Sequence, residues 1–142
     1  MIKFTVDGEP VPKARARTFY NKKAGRVMSY TPKETMGFEN KVAAYAVQFR
    51  PKEGVNLGAI RIFIEIFKSI PKSMSKKNRI LAEEKKLRPI TRPDGDNYEK
   101  GIFDALKGII WHDDGQVVDC YWRKYFSCKP RVEIIILTEE DK

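Results

Sequence analysis

The stretch Ala59-Ile-Arg-Ile-Phe-Ile-Glu-Ile-Phe-Lys68 alternates without a break. Ile60, Ile62, Ile64 and Ile66 fall on one side, and Arg61, Phe63, Glu65 and Phe67 on the other. Period-2 alternation over this length specifies a strand with one face in a core. Working outward, Ile2, Phe4 and Val6 alternate with polar residues and run into an Asp7-Gly8 turn, predicting an opening strand. Thr18-Phe19-Tyr20 and Val27-Met28-Ser29-Tyr30 flank Asn21-Lys-Lys-Ala-Gly-Arg26, the pattern of a hairpin with a basic tip. Thr31-Pro32-Lys33-Glu34 reads as a helix start, with Thr31 as N-cap and Pro32 in the first helical position. That helix is expected to run to about Phe49, with Phe38, Val42, Tyr45 and Phe49 on its apolar face, before Pro51 and Gly54 end it.

Beyond the isoleucine strand, a short helix is expected around Ser75 to Lys86. Its lysines read equally well as a solvated face or as a DNA-facing one. A further helix should begin near Asp96, burying Ile102, Ala105, Leu106 and Ile109. The loop Trp111-His-Asp-Asp-Gly-Gln116 and two strands, Val117 to Phe126 and Arg131 to Leu137, complete the chain. The order β, hairpin, α, β, α, α, β, β predicts a small single α+β (α/β) domain over residues 1–142, with a mixed β-sheet and two to three helices.

Composition bounds the function. The 142 residues carry 28 Lys plus Arg against 19 Asp plus Glu, a formal charge of +9, and 42% are hydrophobic. A chain of this size can supply a core without metal or disulfide staples. Apolar runs stay far below the ~18 residues of a membrane span, and MIKFTVDGEP lacks a secretory apolar region. A cytoplasmic location without membrane contact is therefore expected, as is a reduced state for Cys120 and Cys128. One His and two Cys argue against a structural zinc site.

The charge is unevenly placed. Residues 1–90 hold 20 Lys plus Arg and 8 acids, whereas residues 91–142 hold 8 and 11. A body this basic is drawn to a polyanion. Lys13, Arg15 and Arg17 recur at period 2 after Pro10 and Pro12, forming a short basic comb if extended. Lys22, Lys23 and Arg26 add cations at the hairpin tip, and all six are candidate DNA-binding residues. Yet Asp94 through Asp119 contains seven acids and only Lys100 and Lys107. A simple phosphate binder has no use for such a cluster unless cations sit between carboxylate and phosphate.

Chemistry concentrates in Arg92-Pro-Asp94-Gly-Asp96-Asn97-Tyr-Glu-Lys100. Asp94 and Asp96, two apart, can project to one side of an extended run. Mg2+ takes such hard oxygen ligands together with phosphate and water, and Asp113 or Asp114 would add a third carboxylate. The competing reading is structural, with Asp96 capping the helix and Asp94 starting a turn. Lys100, one turn above Asp96, favours the catalytic reading, because carboxylates beside a lysine suit phosphoryl transfer. Asp104 is placed to orient Lys100 through an i, i+4 contact or to form a surface ion pair. A calcium EF-hand is rejected, since Tyr98, Glu99 and Ala105 occupy positions that need an oxygen ligand, a glycine and a closing Glu. No glycine-rich phosphate loop is present, so no nucleotide cofactor is expected. His112 reads as a local hydrogen-bonding residue rather than a general base, and Trp111 as a packing residue.

Taken together, Arg92-Pro-Asp94-Gly-Asp96-Asn97 with Lys100, Phe103-Asp104-Ala105-Leu106, and Trp111-His-Asp113-Asp114-Gly-Gln116-Val117 resemble the signature of the RusA family of Holliday junction resolvases, the crossover junction endodeoxyribonucleases. Pro10-Val-Pro-Lys13-Ala-Arg15-Ala-Arg17 is similar to the family's opening strand, so the resemblance covers essentially the whole chain. Many members are phage or prophage encoded. The resemblance implies a RusA-like fold and a homodimeric Mg2+-dependent endonuclease, with Mn2+ as a substitute ion. Each subunit would nick one strand of a four-way DNA junction in recombination and repair. It places the metal at Asp94, Asp96 and Asp114, with Asp113 as a further candidate. The family's essential lysine falls on Lys100, and Asn97 and Asp104 take supporting positions. Gly95 departs from the larger apolar residue frequent there and is expected to loosen the loop. With Mg2+ bound, the expected reaction is in-line attack of water with loss of the 3′ oxygen. Two alternatives stand beside it: a metal-dependent nuclease for other branched DNA or for RNA, and a non-catalytic basic nucleic-acid-binding protein.

Overall fold

The computed structural model describes residues 1–141. Nine main elements occur in the expected order: strand β1 (Ile2–Asp7), the hairpin strands β2 (Arg17–Asn21) and β3 (Arg26–Tyr30), helix α1 (Lys33–Ala46), strand β4 (Ile60–Ser69), helices α2 (Lys76–Glu83) and α3 (Gly95–Leu106), and strands β5 (Val117–Ser127) and β6 (Arg131–Leu137). Single 3-10 turns follow α1 (Val47–Phe49) and precede β5 (Asp114–Gln116).

The isoleucine strand β4 lies inside a four-stranded sheet of order β1-β6-β4-β5. It pairs antiparallel with β6 and parallel with β5, so the sheet is mixed as expected. Ile60, Ile62, Ile64 and Ile66 are all buried, against Ile134 and Ile136 of β6 and the apolar sides of α1 and α3. Each fully buried isoleucine contributes roughly 1.5–3 kcal/mol. On the opposite face Phe63 stacks on Tyr121 and Phe67 on Tyr125, both at 5.3 Å. A parallel β4–β5 pair requires a long crossover, and residues 70–116 supply it. That crossover carries every motif of the acidic stretch.

Two helix starts differ from expectation by one or two residues. Pro32, rather than Thr31, occupies the N-cap of α1, and no side chain caps that end. Helix α3 begins at Gly95, with Asp94 rather than Asp96 in the N-cap position. The lysine-rich segment is divided in use. Arg79 donates to the carbonyls of Pro71, Lys72 and Met74, while Lys85 and Arg88 lie over the Tyr125 ring at 4.9 and 4.5 Å. These cations brace the sheet, while Lys76 and Lys77 stay solvated. No helix among the described residues is long and apolar enough to cross a membrane.

Candidate nuclease site

The loop before α3 is fixed from below by two lysines of the sheet. Lys124 Nζ donates to the carbonyls of Thr91 and Pro93 at 3.1 and 3.2 Å, and Lys68 Nζ to that of Arg92 at 3.5 Å. Burial, and then the neighbouring charge of Lys124, hold the Lys68 pKa below its ordinary value. The chain then enters α3 at Asp94, whose side chain makes no cap hydrogen bond. Its carboxylate is thus free, as is that of Asp96 apart from a 3.7 Å contact to Lys100. Both members of that pair are more than half exposed, so it holds neither side chain firmly. Asp96 is therefore not the helix cap, and Asp94, which holds the N-cap position and opens the turn through its carbonyl, leaves its carboxylate out of the cap.

Gly95 between them has a packing reason. A Cβ at this position would lie under 3.0 Å from the indole ring carbons of Trp122 on β5, closer than real contacts allow. The glycine lets α3 start directly on that ring, so it does not loosen the loop as expected from the sequence. Neither residue of this contact announces the other in sequence.

From the other side comes the segment before β2. Lys13 N donates to the Asn97 carbonyl at 2.8 Å. Thr35, buried in α1, accepts from Ala14 N and donates to the Pro12 carbonyl, both at 3.3 Å. The Lys13 ammonium is taken up by Glu39 at 2.8 Å and Asp104 at 3.0 Å. Its bond to Glu39, aided by Asp104, raises its pKa against the opposing cost of burial. Lys13 is thus a structural tie whose charge is largely compensated, and of the two readings of Asp104 the ion pair is the one found, made with Lys13 rather than with Lys100. Lys13 and Arg15 both line the adjoining cleft, although the Lys13 ammonium is paired with Glu39 and Asp104.

Between this segment and the α3 start lies a cleft of about 740 Å3. Asp94, Asn97 and Lys100 line it together with Arg15 and Arg92. Arg92 stood in the quoted motif without a role and is the cleft cation that sequence reasoning missed. Lys22, Lys23 and Arg26 sit exposed at the hairpin tip, away from the core.

The loop before β5 is built differently. Asp113 and Gln116 form a reciprocal capping box around the 3-10 turn, and Gln116 Nε2 also donates to the carbonyls of Asn56 and Gly58 at 2.8 and 2.9 Å. Asp114 Oδ1 accepts from the buried Trp111 Nε1 at 2.8 Å. Trp111 in turn packs edge-on against Phe103 at 5.4 Å, seven residues and about 10 Å of helix rise beyond Asp96. His112 is exposed, and its backbone N–H is held by Gln116.

The expected trio of Asp94, Asp96 and Asp114 is therefore not assembled. Among the described residues, no three His, Cys, Asp or Glu side chains gather into a metal-holding group. The physical reason is that Asp114 is committed to Trp111 while the other two sit at the far end of α3. The donor chemistry nevertheless fits Mg2+, which commonly takes one or two protein carboxylates and completes its shell with water and substrate phosphate. Asp94 and Asp96 supply two oxygen donors of that kind, beside cations placed for phosphate.

Comparison with known proteins identifies the family. Residues 7–137 match the model of the family described as Endodeoxyribonuclease RusA. The chain is also similar to the uncharacterized protein YqaN of Bacillus subtilis (strain 168), with 43% identity over 137 residues covering 95% of this chain and 94% of that protein. The matched span takes in the α3 start, the cleft and the loop before β5, and on that basis the chain belongs to the RusA family of endodeoxyribonucleases, the Holliday junction resolvases.

Proposed function

We propose that this chain is a Mg2+-dependent resolvase that acts as a homodimer and cuts four-way DNA junctions by paired nicks, in recombination and repair. The observation that carries the reading is the Asp94 carboxylate, free of any cap bond, in a cleft lined by Arg15, Arg92 and Lys100, with Asp96 two residues on in the first turn of α3 and only weakly paired to Lys100. Asp94 and Asp96 would hold the ion, with Mn2+ a chemically similar substitute. When bound, it would supply Lewis-acid polarisation of the phosphodiester and a water of lowered pKa. Arg15 and Arg92 would hold the phosphates on either side of the cut, contacts that position the backbone without reading sequence. Lys100 would balance charge developing on the reacting phosphate, releasing its weak contact with Asp96. Asn97 contributes a polar wall, and its carbonyl anchors the segment that carries Arg15. Asp114, with one oxygen held by Trp111, would have its other oxygen to offer as a further donor, whereas Asp113 is the weaker candidate because its carboxylate serves the capping box; the rates of Asp114→Asn and Asp113→Asn test the two separately.

Cleavage of a synthetic four-way junction, a flapped duplex and a linear duplex of the same sequence, each with Mg2+ and with EDTA, tests the reading. Paired nicks on the junction alone and only with Mg2+ are expected. Equal cutting of the flap would replace the junction with branched DNA in general, and binding without cutting under every condition would overturn the nuclease reading.

A further inference from the structure

The hairpin β2–β3 packs almost entirely on itself. Among the described residues, none of its side chains enters the hydrophobic core or rests against it, although a lone two-stranded hairpin is marginal in water. Its register sets Arg17 opposite Tyr30, Phe19 opposite Met28 and Asn21 opposite Arg26. Side chains alternate across a strand, so these six share one face, and the 3.2 Å contact from Asn21 Nδ2 to Met28 Sδ agrees. On that face the rings of Phe19 and Tyr30 meet edge-on with centroids 6.0 Å apart. They remain 46% and 48% exposed. Arg17 stands at one end of the pair and Arg26 at the other.

Two further observations say what covers these rings. From Pro10 to Lys33 the chain has seven Lys or Arg and no Asp or Glu. The hairpin also follows the cleft closely along the chain, since Arg15 lines the cleft and Arg17, two residues on, opens β2. A second copy docked on the same face would bring two such acid-free segments together at a cost in repulsion. A polyanion would be attracted, and a polyanion with an apolar planar group is DNA whose bases have left the stack.

We infer that the Phe19–Tyr30 face of the hairpin is a stacking platform for unstacked DNA bases, with Arg17 and Arg26 on the adjoining phosphates. Aromatic rings accept any base, because every base has a π face. The platform therefore selects a DNA shape rather than a sequence: a branch point offers open base faces, and an intact duplex does not. This rests on the nuclease reading only in its choice of branched DNA, and its test avoids cleavage.

The test measures binding in EDTA of a labelled oligothymidine, of a four-way junction with 2-aminopurine at the branch, and of a linear duplex. The proteins compared are the wild type, the Phe19→Ala/Tyr30→Ala double variant, and Thr18→Ala/Ser29→Ala on the opposite face. Loss of the rings should weaken oligothymidine and junction binding roughly 5-fold to 100-fold. It should abolish the 2-aminopurine signal change and leave duplex affinity within about twofold, with the salt dependence intact because no ionic contact is lost. Phe19→Leu, which keeps apolar volume without a π face, serves if the double variant does not fold and should show the same selective loss. Undiminished single-strand and branch binding, equal weakening of all three DNAs, or a drop in oligomeric mass would each overturn the proposal. Failure of cleavage with the platform intact would leave this inference standing and remove the nuclease reading instead.

Discussion

At the start of α3, Asp94 and Asp96 carry carboxylates that cap nothing, on a helix end fixed from beneath by lysines and by an indole ring. Beyond the end of the same helix, Asp113 and Asp114 carry carboxylates that are already employed, one in a capping box and one on a buried tryptophan. As sequence the two stretches look alike, Asp-Gly-Asp against Asp-Asp-Gly. The difference lies in what the backbone around them leaves undone. The capping box and Trp111 satisfy the later turn internally, whereas the earlier one is held by main-chain carbonyls, which leaves its acids available for a cation.

Breaking each region should therefore give different losses. The largest is expected from Asp94→Asn, which should lower junction nicking by roughly two to three orders of magnitude while leaving its melting temperature and gel-shift affinity unchanged. Gly95→Ala should come next. Its methyl must displace Trp122, at about 1–3 kcal/mol of stability, with a fall in nicking that a melting curve and a rate measured together would reveal. Gln116→Ala should cost about 0.5–2 kcal/mol by dismantling the capping box, visible as a lower melting temperature with a smaller effect on rate.

A smaller effect is expected at Lys13. Its folded pKa is raised above the ordinary lysine value by Glu39 and Asp104. The stability it adds is thus fully present below about pH 10.5 and is lost as pH rises through the folded value. The melting-temperature gap between wild type and Lys13→Met should be constant from pH 7 to 9 and close only above pH 10.5. A gap that closes below pH 9 would contradict the ion-pair account.

Periodicity reveals a residue's face, and much of the fold was legible for that reason. Alternation in Ile60 to Ile66 placed β4, and the 3.6-residue spacing of Ile102, Ala105 and Leu106 placed α3. Residue chemistry likewise marked the acidic stretch and Lys100. Three-dimensional neighbours were not legible. Nothing local pairs Lys13 with Glu39, or shows that Thr35 will latch the segment carrying Arg15. The fit of Gly95 under Trp122 depends on β5 returning beside α3. The separation of Asp114 from Asp96 depends on Trp111 packing back on Phe103. Each is a long-range event set by the parallel β4–β5 crossover.

The most direct measurement is the nicking rate of a four-way junction with Mg2+ for wild type, Asp96→Asn and Asp113→Asn side by side, with binding followed in the same samples by gel shift. Asp96→Asn should bind the junction as wild type does and fail to nick it, while Asp113→Asn, whose carboxylate serves the turn, should retain most of the rate. Nicking by Asp96→Asn at the wild-type rate, or equal loss in both variants, would contradict the assignment of the free α3 carboxylates as the catalytic centre.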